Sequence, residues 1–391
     1  MSEQSAGALR NVLILSARLG AGHMRAADAI HKAITASAPE MSSRHVEILE
    51  HTNSMFQRLY SKAYLDVLDA APALYGWYYD EREKWAKHDR LRPAFNKLNT
   101  RSLVKQIEEH QPDVTICTHP MPAEIITWLI HEGRLKTQQA VVVTDCDIHV
   151  QWLCPNDVHY FVAIDEARAH LEALGIAPSD ITVSGIPIDP VFAEPKDSAA
   201  MRNKHGLRRD ATVILISAGG FGVGAIEEIV NSLRRMSRPT QVVVICGRNE
   251  ELKARLDEIA GGIAADSLVE IKVVGFTTAM DEYMAAADLI VGKPGGLTMS
   301  EALACGLVFV IVSPIPGQEE RNADHLLEEG AAIRCNNLPV LAYKIERLLD
   351  DPQRLAAMRQ NVRRLARPQA AFDIAATFRN TRTLNVRDAP N

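Results

Sequence analysis

Residues 289 to 307 constrain the possible folds of this chain more than any other segment. A short apolar run, Leu289–Val291, leads into Pro294-Gly295-Gly296, and an Ala- and Leu-rich helical pattern follows. A glycine turn of this kind lets backbone N–H groups at a helix N-terminus face an anion at close range. The segment therefore predicts a strand, an anion-binding turn and a helix, which together form the unit of a doubly wound α/β fold.

Three polar side chains accompany this turn. Thr298 and Ser300 add hydroxyl groups, and Glu301 adds a carboxylate in what the pattern predicts as the first helical turn. An anion pocket beside a carboxylate suits a nucleotide diphosphate whose ribose hydroxyls need an acceptor.

A second glycine loop lies upstream, in Ser217-Ala-Gly-Gly-Phe-Gly-Val-Gly224, between a predicted strand at 212–217 and a predicted helix at 225–233. Gly219 and Gly220 would admit a pyrophosphate close to the backbone. A dinucleotide-binding fold is the rival interpretation. However, the turn after the first strand, Gly20-Ala-Gly-His23, lacks the third spaced glycine of that fold.

The alternation of strands and helices predicts two Rossmann-like domains. The first is expected at 1–190 and the second at 191–365, with a proline-rich link near 185–195 and a helical or disordered tail at 366–391. The strands are predicted at 11–16, 113–117, 140–143, 159–163, 212–217, 241–246, 269–274, 289–291 and 308–312.

Composition excludes several classes of protein. A net charge of −6 argues against a nucleic-acid-binding protein. The six cysteines are scattered without a C-x-x-C pair, which favours buried thiols in a reducing compartment. The N-terminus lacks the features of a signal peptide, and no apolar run approaches the ~18 residues of a membrane span. A cytoplasmic location is therefore expected.

The segment from Met55 to Lys105 interrupts the α/β pattern. It contains nine of the 21 aromatic residues of the chain, interleaved with arginines and lysines such as Arg82, Lys84 and Lys87. Such a mixture suits the surface of an anionic bilayer. The alternative is an additional pair of helices with an ordinary aromatic core, because acidic residues dilute the basic ones.

His23 ends the first glycine turn at the carboxyl edge of a strand, where ligands bind in α/β proteins. An imidazole there could deprotonate a hydroxyl group. Equally, it could cap the following helix.

Asp145-Cys146-Asp147 matches the D-x-D pattern that holds a divalent metal in one class of glycosyltransferase, and His149 could join it. The pattern is common by chance and lies in a different domain from both glycine loops. Polar residues lining a cleft are the preferred interpretation, and metal binding is the minority alternative.

Taken together, the motifs resemble those of the monogalactosyldiacylglycerol synthases and the processive diacylglycerol glucosyltransferases of bacteria. The transferase that adds N-acetylglucosamine to the peptidoglycan lipid precursor is a more distant relative. The resemblance extends from about Asn11 to Leu349. It rests on seven motifs in order: Ser16-x-x-x-Gly20-x-Gly22-His23, Thr144-Asp145-x-x-x-His149, Val183-Ser-Gly-Ile-Pro-Ile-Asp189, Cys246-Gly-Arg-Asn249, Gly275-Phe276, Lys293-Pro-Gly-Gly-Leu-Thr-x-Ser-Glu301 and Pro316-Gly-Gln-Glu319.

The resemblance implies a GT-B-like fold, with two Rossmann-like domains facing across a cleft, and an inverting reaction without a metal or other cofactor. The C-terminal domain would bind the UDP-sugar. Gly220 and its neighbours, together with Thr298, would contact the diphosphate, and Glu301 would bind the ribose. By the same resemblance, uracil would be bordered by Arg248 and Phe276, and the donor sugar would be held by Gln318 and Glu319.

By the same resemblance, the N-terminal domain would hold the acceptor, with His23 as the first candidate base and Asp145 or His149 next. Family members dock on membranes through this domain, which favours the membrane interpretation of the Met55–Lys105 segment and a peripheral location on the inner face of the cell membrane. The sequence departs from the family in one turn. It reads Gly20-Ala21-Gly22-His23 where the version common in the family is richer in glycine.

The predicted function is transfer of a hexose from a UDP-sugar to a membrane lipid, diacylglycerol, giving a glycolipid. A UDP-sugar epimerase or hydrolase of the same fold is one alternative, and a non-catalytic nucleotide-sugar-binding protein is another. Glucose, galactose and a uronic acid all remain open as the donor sugar, and so does the oligomeric state.

Overall fold

A computed structural model describes residues 10–18, 20–52, 100–155, 157–218 and 225–380. The chain divides into two compact units. The first comprises residues up to Pro190 together with those from Gln369 onward, and the second comprises Val191–Pro368. Each unit contains a six-stranded, wholly parallel sheet.

The first sheet has the strand order β2-β1-β3-β4-β5-β6. Its strands are β1 Asn11–Ser16, β2 Ser42–Glu47, β3 Val114–Cys117, β4 Gln138–Val142, β5 Val158–Val162 and β6 Ile181–Val183. The described helices that belong to it are α1 Gly22–Ser37, α2 Arg101–His110, α3 Pro120–His131 and α4 Asp165–Ala173.

The core of this unit lies on both faces of the sheet. Successive residues of β1 point to opposite faces, as in any strand. Val12 and Ile14 belong to one buried cluster, and Leu13 and Leu15 belong to the other. A strand buried on both faces is apolar along its whole length, which is why Asn11–Ser16 is recognisable in the sequence.

The second sheet has the order β12-β11-β10-β7-β8-β9. Its strands are β7 Thr212–Ser217, β8 Thr240–Ile245, β9 Val269–Val274, β10 Leu289–Gly292, β11 Val308–Val312 and β12 Ala332–Cys335. The described helices of this unit are α5 Ser198–Lys204, α6 Ile226–Leu233, α7 Glu250–Gly261, α8 Met280–Ala286, α9 Gly296–Ala304, α10 Gln318–Glu328, α11 Leu341–Leu349 and α12 Pro352–Leu365.

One further helix, α13 (Ala370–Asn380), follows the second unit but packs on the first. Ile374 and Phe378 are buried in the same cluster as Ile30 and Ile34 of α1. At the end of α1, the carbonyl of Ser37 accepts a hydrogen bond from Arg379, with an N–O distance of 3.1 Å. The small residues of α1 therefore face a helix that lies more than 330 residues further along the chain.

The prediction of two Rossmann-like α/β units is confirmed. Three strands are missing from the prediction, β2, β6 and β12, and each is the edge strand of its sheet. Most of the predicted membrane-facing segment, residues 55–99, lies outside the described residues. No helix in the described parts of the chain is long and apolar enough to cross a membrane.

Candidate active site

The carboxyl ends of three adjacent strands meet at one edge of the first sheet. β1, β3 and β4 are neighbours in this parallel sheet, so the segments that follow them converge. These segments place His23 in the first turn of α1, Thr118 and His119 after β3, and Thr144 after β4.

His23 is held by two groups from these segments. Its Nδ1 lies 2.8 Å from the carbonyl oxygen of Thr118 and 3.0 Å from the hydroxyl oxygen of Thr144. A carbonyl oxygen can only accept, so Nδ1 carries the proton and Nε2 has the lone pair. Ala21 is the N-cap residue of α1, and no side chain caps this helix. The ring of His23 is therefore oriented by the neighbouring strands rather than by capping its own helix.

Burial lowers the pKa of His23 to about 4, and the weaker effect of the hydrogen bond to Thr118 acts in the opposite direction. The side chain retains some exposure, yet the surrounding protein removes most of its hydration. The imidazole is consequently neutral at neutral pH, with a lone pair on Nε2.

Two aromatic rings lie beside His23. His119 meets it edge-on, with ring centroids 4.8 Å apart, and Trp152 lies 6.1 Å away. The backbone N–H of Met121 donates to Nδ1 of His119 at 3.0 Å, which caps α3 and leaves the ring proton of His119 on Nε2. His119 was not among the predicted site residues, although its position directly after a predicted strand and before Pro120 was a usable signal.

Asp145 and His149 follow Thr144 in the chain, and both are buried. Nδ1 of His149 accepts from the backbone N–H of Gln151 at 3.3 Å, so this ring caps the short turn at 150–152. Asp147 accepts from the N–H of Ile148 at 2.8 Å. Within the described residues, no group of three or more His, Cys, Asp or Glu side chains could hold a metal ion.

A second candidate region lies at the carboxyl edge of the second sheet. β11, β10, β7, β8 and β9 are successive parallel neighbours, so every predicted donor-binding residue follows a strand that ends at this edge. Gly219 and Gly220 follow β7 and lie outside the described residues.

Helix α9 begins within the predicted glycine turn. Gly295 is the N-cap residue, and as a glycine it has no side chain to cap the first turn. Gly296, Leu297 and Thr298 begin the helix, and Thr298 is partly exposed. Backbone N–H groups without a side-chain cap, at the positive end of a helix dipole, suit a phosphate group.

Two details of the predicted anion site are wrong. The hydroxyl of Ser300 donates to the carbonyl of Gly296 at 2.9 Å, one helical turn back, instead of facing the turn. Glu301 is the sixth residue of α9, in its second turn, because the helix begins at Gly296. The residue is only 1% exposed and already has partners within the protein.

The segment after β11 adjoins the same glycine turn. The N–H of Ile315 donates to Oε2 of Glu319 at 2.7 Å, and Oε1 of Glu319 lies 3.6 Å from the position that a Cβ atom would occupy on Gly295. Asn322, which is fully buried, donates to the carbonyl of Pro294 at 3.1 Å. These contacts place the predicted sugar-binding residues Gln318 and Glu319, at the start of α10, beside the turn.

Arg248 and Phe276 follow β8 and β9, which are adjacent strands. The guanidinium carbon of Arg248 lies 5.0 Å from the ring centroid of Phe276, in a cation–π contact. Phe276 is 60% exposed, so one face of its ring is open for stacking.

Comparison with known proteins decides the family. The model of the monogalactosyldiacylglycerol (MGDG) synthase family matches residues 23–188, and that of the glycosyl transferases group 1 family matches residues 197–365. The processive diacylglycerol beta-glucosyltransferase of Bacillus subtilis (strain 168) is 30% identical over 364 residues, covering 91% of each chain. The chain belongs to the processive diacylglycerol beta-glucosyltransferase family. The predictions of family and of a glycosyltransferase are thereby confirmed.

Solved structures share the fold of this glycosyltransferase. MurG of Acinetobacter baumannii matches with a TM-score of 0.59 at 15% identity, over 95% of this chain and 100% of that chain. HepE of Anabaena in complex with UDP-glucose matches with a TM-score of 0.52 at 13% identity, over 94% of this chain and 97% of that chain. The predicted GT-B-type fold is confirmed.

Proposed function

We propose that this glycosyltransferase moves glucose from UDP-glucose to the free hydroxyl group of diacylglycerol, with inversion at the anomeric carbon. The relative from Bacillus subtilis is named a diacylglycerol beta-glucosyltransferase, which supports both glucose and the lipid acceptor. Because UDP-glucose is an α-glycoside, a β-linked product requires attack from the face opposite the diphosphate.

The observation that carries the acceptor side is the fixed tautomer of His23. With Nδ1 donating to Thr118, Nε2 is the atom that takes the proton of the acceptor hydroxyl. The acceptor oxygen attacks the anomeric carbon as that proton leaves. His23 acts as the base, and Asp145 and His149 are second candidates because both are buried and have partners in the protein.

On the donor side, the N-terminus of α9 receives the diphosphate. The bond between the anomeric carbon and the diphosphate oxygen breaks as the new bond forms, and UDP leaves with the electron pair. N–H groups after Gly295 stabilise the charge that develops on the leaving group, so the reaction requires no metal. Gly219, Gly220, Gly296 and Thr298 complete the diphosphate site in this proposal, as Glu301 does for ribose, Arg248 and Phe276 for uracil, and Gln318 and Glu319 for glucose.

The enzyme acts at a membrane surface, because its lipid acceptor resides there. In this proposal it is peripheral and binds anionic lipid on the inner face of the cell membrane, where UDP-sugars are available. The aromatic and basic composition of residues 55–105 supports such a contact.

The proposal is tested by measuring UDP release from a panel of UDP-sugars, each with and without vesicles that contain diacylglycerol. We expect release that depends on lipid, greatest with UDP-glucose, together with a new glucolipid on a thin-layer plate. Release of UDP without lipid would instead indicate a hydrolase or epimerase. The absence of UDP release with every sugar would indicate a protein that binds nucleotide sugars without turnover.

His23→Asn tests the base in the same assay. Asparagine can still donate to Thr118 but has no equivalent of Nε2, so we expect turnover to fall by about 10²–10⁴. The UDP affinity measured by calorimetry should stay unchanged. His131→Asn is the matched control, because it makes the same change at an exposed position at the end of α3 and should leave turnover unchanged. Equal losses of turnover in the two variants would show that His23 is not the base.

A further inference from the structure

α11 has two different faces. Leu341, Ala342, Ile345 and Leu348 are buried against the unit. Val340, Tyr343, Lys344 and Arg347 follow the spacing i, i+3, i+4, i+7 and are all exposed, so they form one stripe along the helix. Tyr343 is 63% and Val340 is 41% exposed. Among the large apolar residues that the structure describes, Tyr343 is the most exposed.

The positive charges on and beside this stripe are not neutralised by the contacts they make. Lys344 donates to the carbonyl of Arg334 at 2.6 Å, and Arg235, just after α6, donates to the carbonyl of Pro339 at 3.3 Å. A carbonyl oxygen fixes the side chain in place but carries no full charge. Arg234 is exposed next to Arg235.

The acidic residues of the same helix have protein partners. Glu346 accepts from the backbone N–H of Ser237 at 2.5 Å and from its hydroxyl at 2.7 Å. Asp350 forms an ion pair with Arg238. The partners of Glu346 carry no full charge, so this carboxylate keeps its own. Positive charge still dominates the exposed face, because Glu346 is outnumbered by the four exposed cations Arg234, Arg235, Lys344 and Arg347.

The surrounding sequence strengthens this asymmetry. Residues 334–368 contain eight lysines and arginines against three acidic residues, in a chain with a net charge of −6. This segment, which includes α11, therefore has a net charge of +5, and the rest of the chain has a net charge of −11.

We propose that the stripe Val340, Tyr343, Lys344 and Arg347, flanked by Arg234 and Arg235, docks on the surface of an anionic phospholipid bilayer. A tyrosine with an aliphatic neighbour suits the headgroup level of a membrane, and exposed lysine and arginine attract anionic lipids. The inference deepens the proposed function, since a lipid acceptor must be reached at such a surface. It assigns the contact to the second unit, separately from residues 55–105.

A second copy of the chain fits this surface less well. A two-fold contact would bring the same patch of both copies together and set the arginines and lysines against each other. An acidic bilayer supplies the opposite charge without that penalty.

The test uses the full-length protein and sedimentation with vesicles of phosphatidylcholine, with and without phosphatidylglycerol. The variant Tyr343→Ser/Lys344→Glu/Arg347→Glu should bind the anionic vesicles about tenfold more weakly or worse. Wild-type binding should itself weaken as salt is raised. The control Leu174→Ser/Lys136→Glu/Arg209→Glu makes the same kinds of change at other exposed positions and should bind like the wild type.

Two further measurements keep the outcomes distinct. If the triple variant binds vesicles like the wild type, the docking surface is wrong, and a changed oligomeric state in that variant would assign the stripe to a second copy instead.

Glucose transfer to diacylglycerol in detergent micelles should be retained by the variant. If wild-type protein transfers no glucose yet the variant loses vesicle binding, the docking surface stands and the proposed function fails. Arg234→Glu/Arg235→Glu should weaken binding independently.

Discussion

His23 is oriented by a backbone carbonyl rather than by an acidic side chain. A carboxylate beside an imidazole would raise its pKa by stabilising the imidazolium. The carbonyl of Thr118 fixes the same tautomer without a full negative charge, and burial keeps the pKa at about 4. The ring is therefore held ready to accept a proton over the whole neutral range.

This pKa predicts the pH dependence of the reaction. The base must be neutral, and it is neutral above its pKa, so kcat/KM should stay level from pH 7 down to about 5 and fall as the pH drops through about 4. An unperturbed histidine would lose activity near pH 6.5. The measurement is kcat/KM against pH with diacylglycerol in detergent micelles, with circular dichroism at each pH to confirm that the protein stays folded. A decline centred near 6.5 would contradict the environment described for His23.

At the scale of single residues, the sequence indicates which residues belong to the site better than it indicates what those residues contact. His23 is found because it ends a glycine turn after an apolar strand, whereas Arg248 and Phe276 are assigned only through the family motifs that contain them. His119 was missed because its role depends on Met121 and on the ring of His23, which the chain brings together only through the parallel pairing of β1 and β3. Glu301 was placed one turn too early, because the helix begins at Gly296, inside the predicted glycine turn, rather than after it.

At the scale of elements, α9 begins without a side-chain cap. Such a terminus is less stable alone than one capped by serine or aspartate, and no N-cap side chain competes with an anion for its N–H groups. The glycine at the N-cap position thus favours ligand binding over helix stability.

The variant Gly295→Ser tests whether the glycine at the N-cap position favours UDP binding at the expense of helix stability. The backbone at Gly295 has φ −62° and ψ 143°, which serine adopts readily, and the nearest atom to a new Cβ is 3.6 Å away. The serine hydroxyl should cap α9 and compete with the diphosphate, lowering UDP affinity about fivefold, an effect of about 1 kcal/mol.

Gly295→Ala is the matched control, because it adds the Cβ atom without a hydroxyl and should bind UDP nearly as well as the wild type. Calorimetry with UDP distinguishes the two variants. Equal losses would indicate a steric effect, and no loss in either variant would move the diphosphate away from α9.

The three strands that the sequence did not predict share a physical reason. β2 reads Ser-Ser-Arg-His-Val-Glu, β6 has three residues, and β12 has four. Edge strands pair on one side only and are less completely covered, so they lack the long apolar runs of central strands. The central strands, buried on both faces, were all predicted to within two residues.

At the scale of the whole molecule, the sequence order and the packing order differ. α13 belongs to the first unit although the entire second unit precedes it in the chain. A sequence pattern indicates that this segment is helical but not which sheet it covers, because the choice depends on the complementary face of α1.

Phe378→Ala should destabilise the first unit selectively. Phe378 is 4% exposed, and its ring centroid lies 5.7 Å from that of Phe161 in β5. Loss of a buried phenylalanine costs about 3–5 kcal/mol of unfolding free energy. All four tryptophans lie at or before residue 152, so tryptophan fluorescence during denaturant unfolding reports on this unit. Asp373→Ala, at an exposed position of α13, should change stability by about 0.5 kcal/mol or less.

The return of α13 to α1 has a consequence for synthesis in the cell. Domains usually fold in the order in which the ribosome makes them. Here the unit that is made first lacks one of its packing helices until residues 370–380 emerge, after the whole second unit. During that interval the apolar side of α1 around Ile30 and Ile34 is uncovered on the nascent chain. The half of the enzyme that is translated first is therefore the half that matures last.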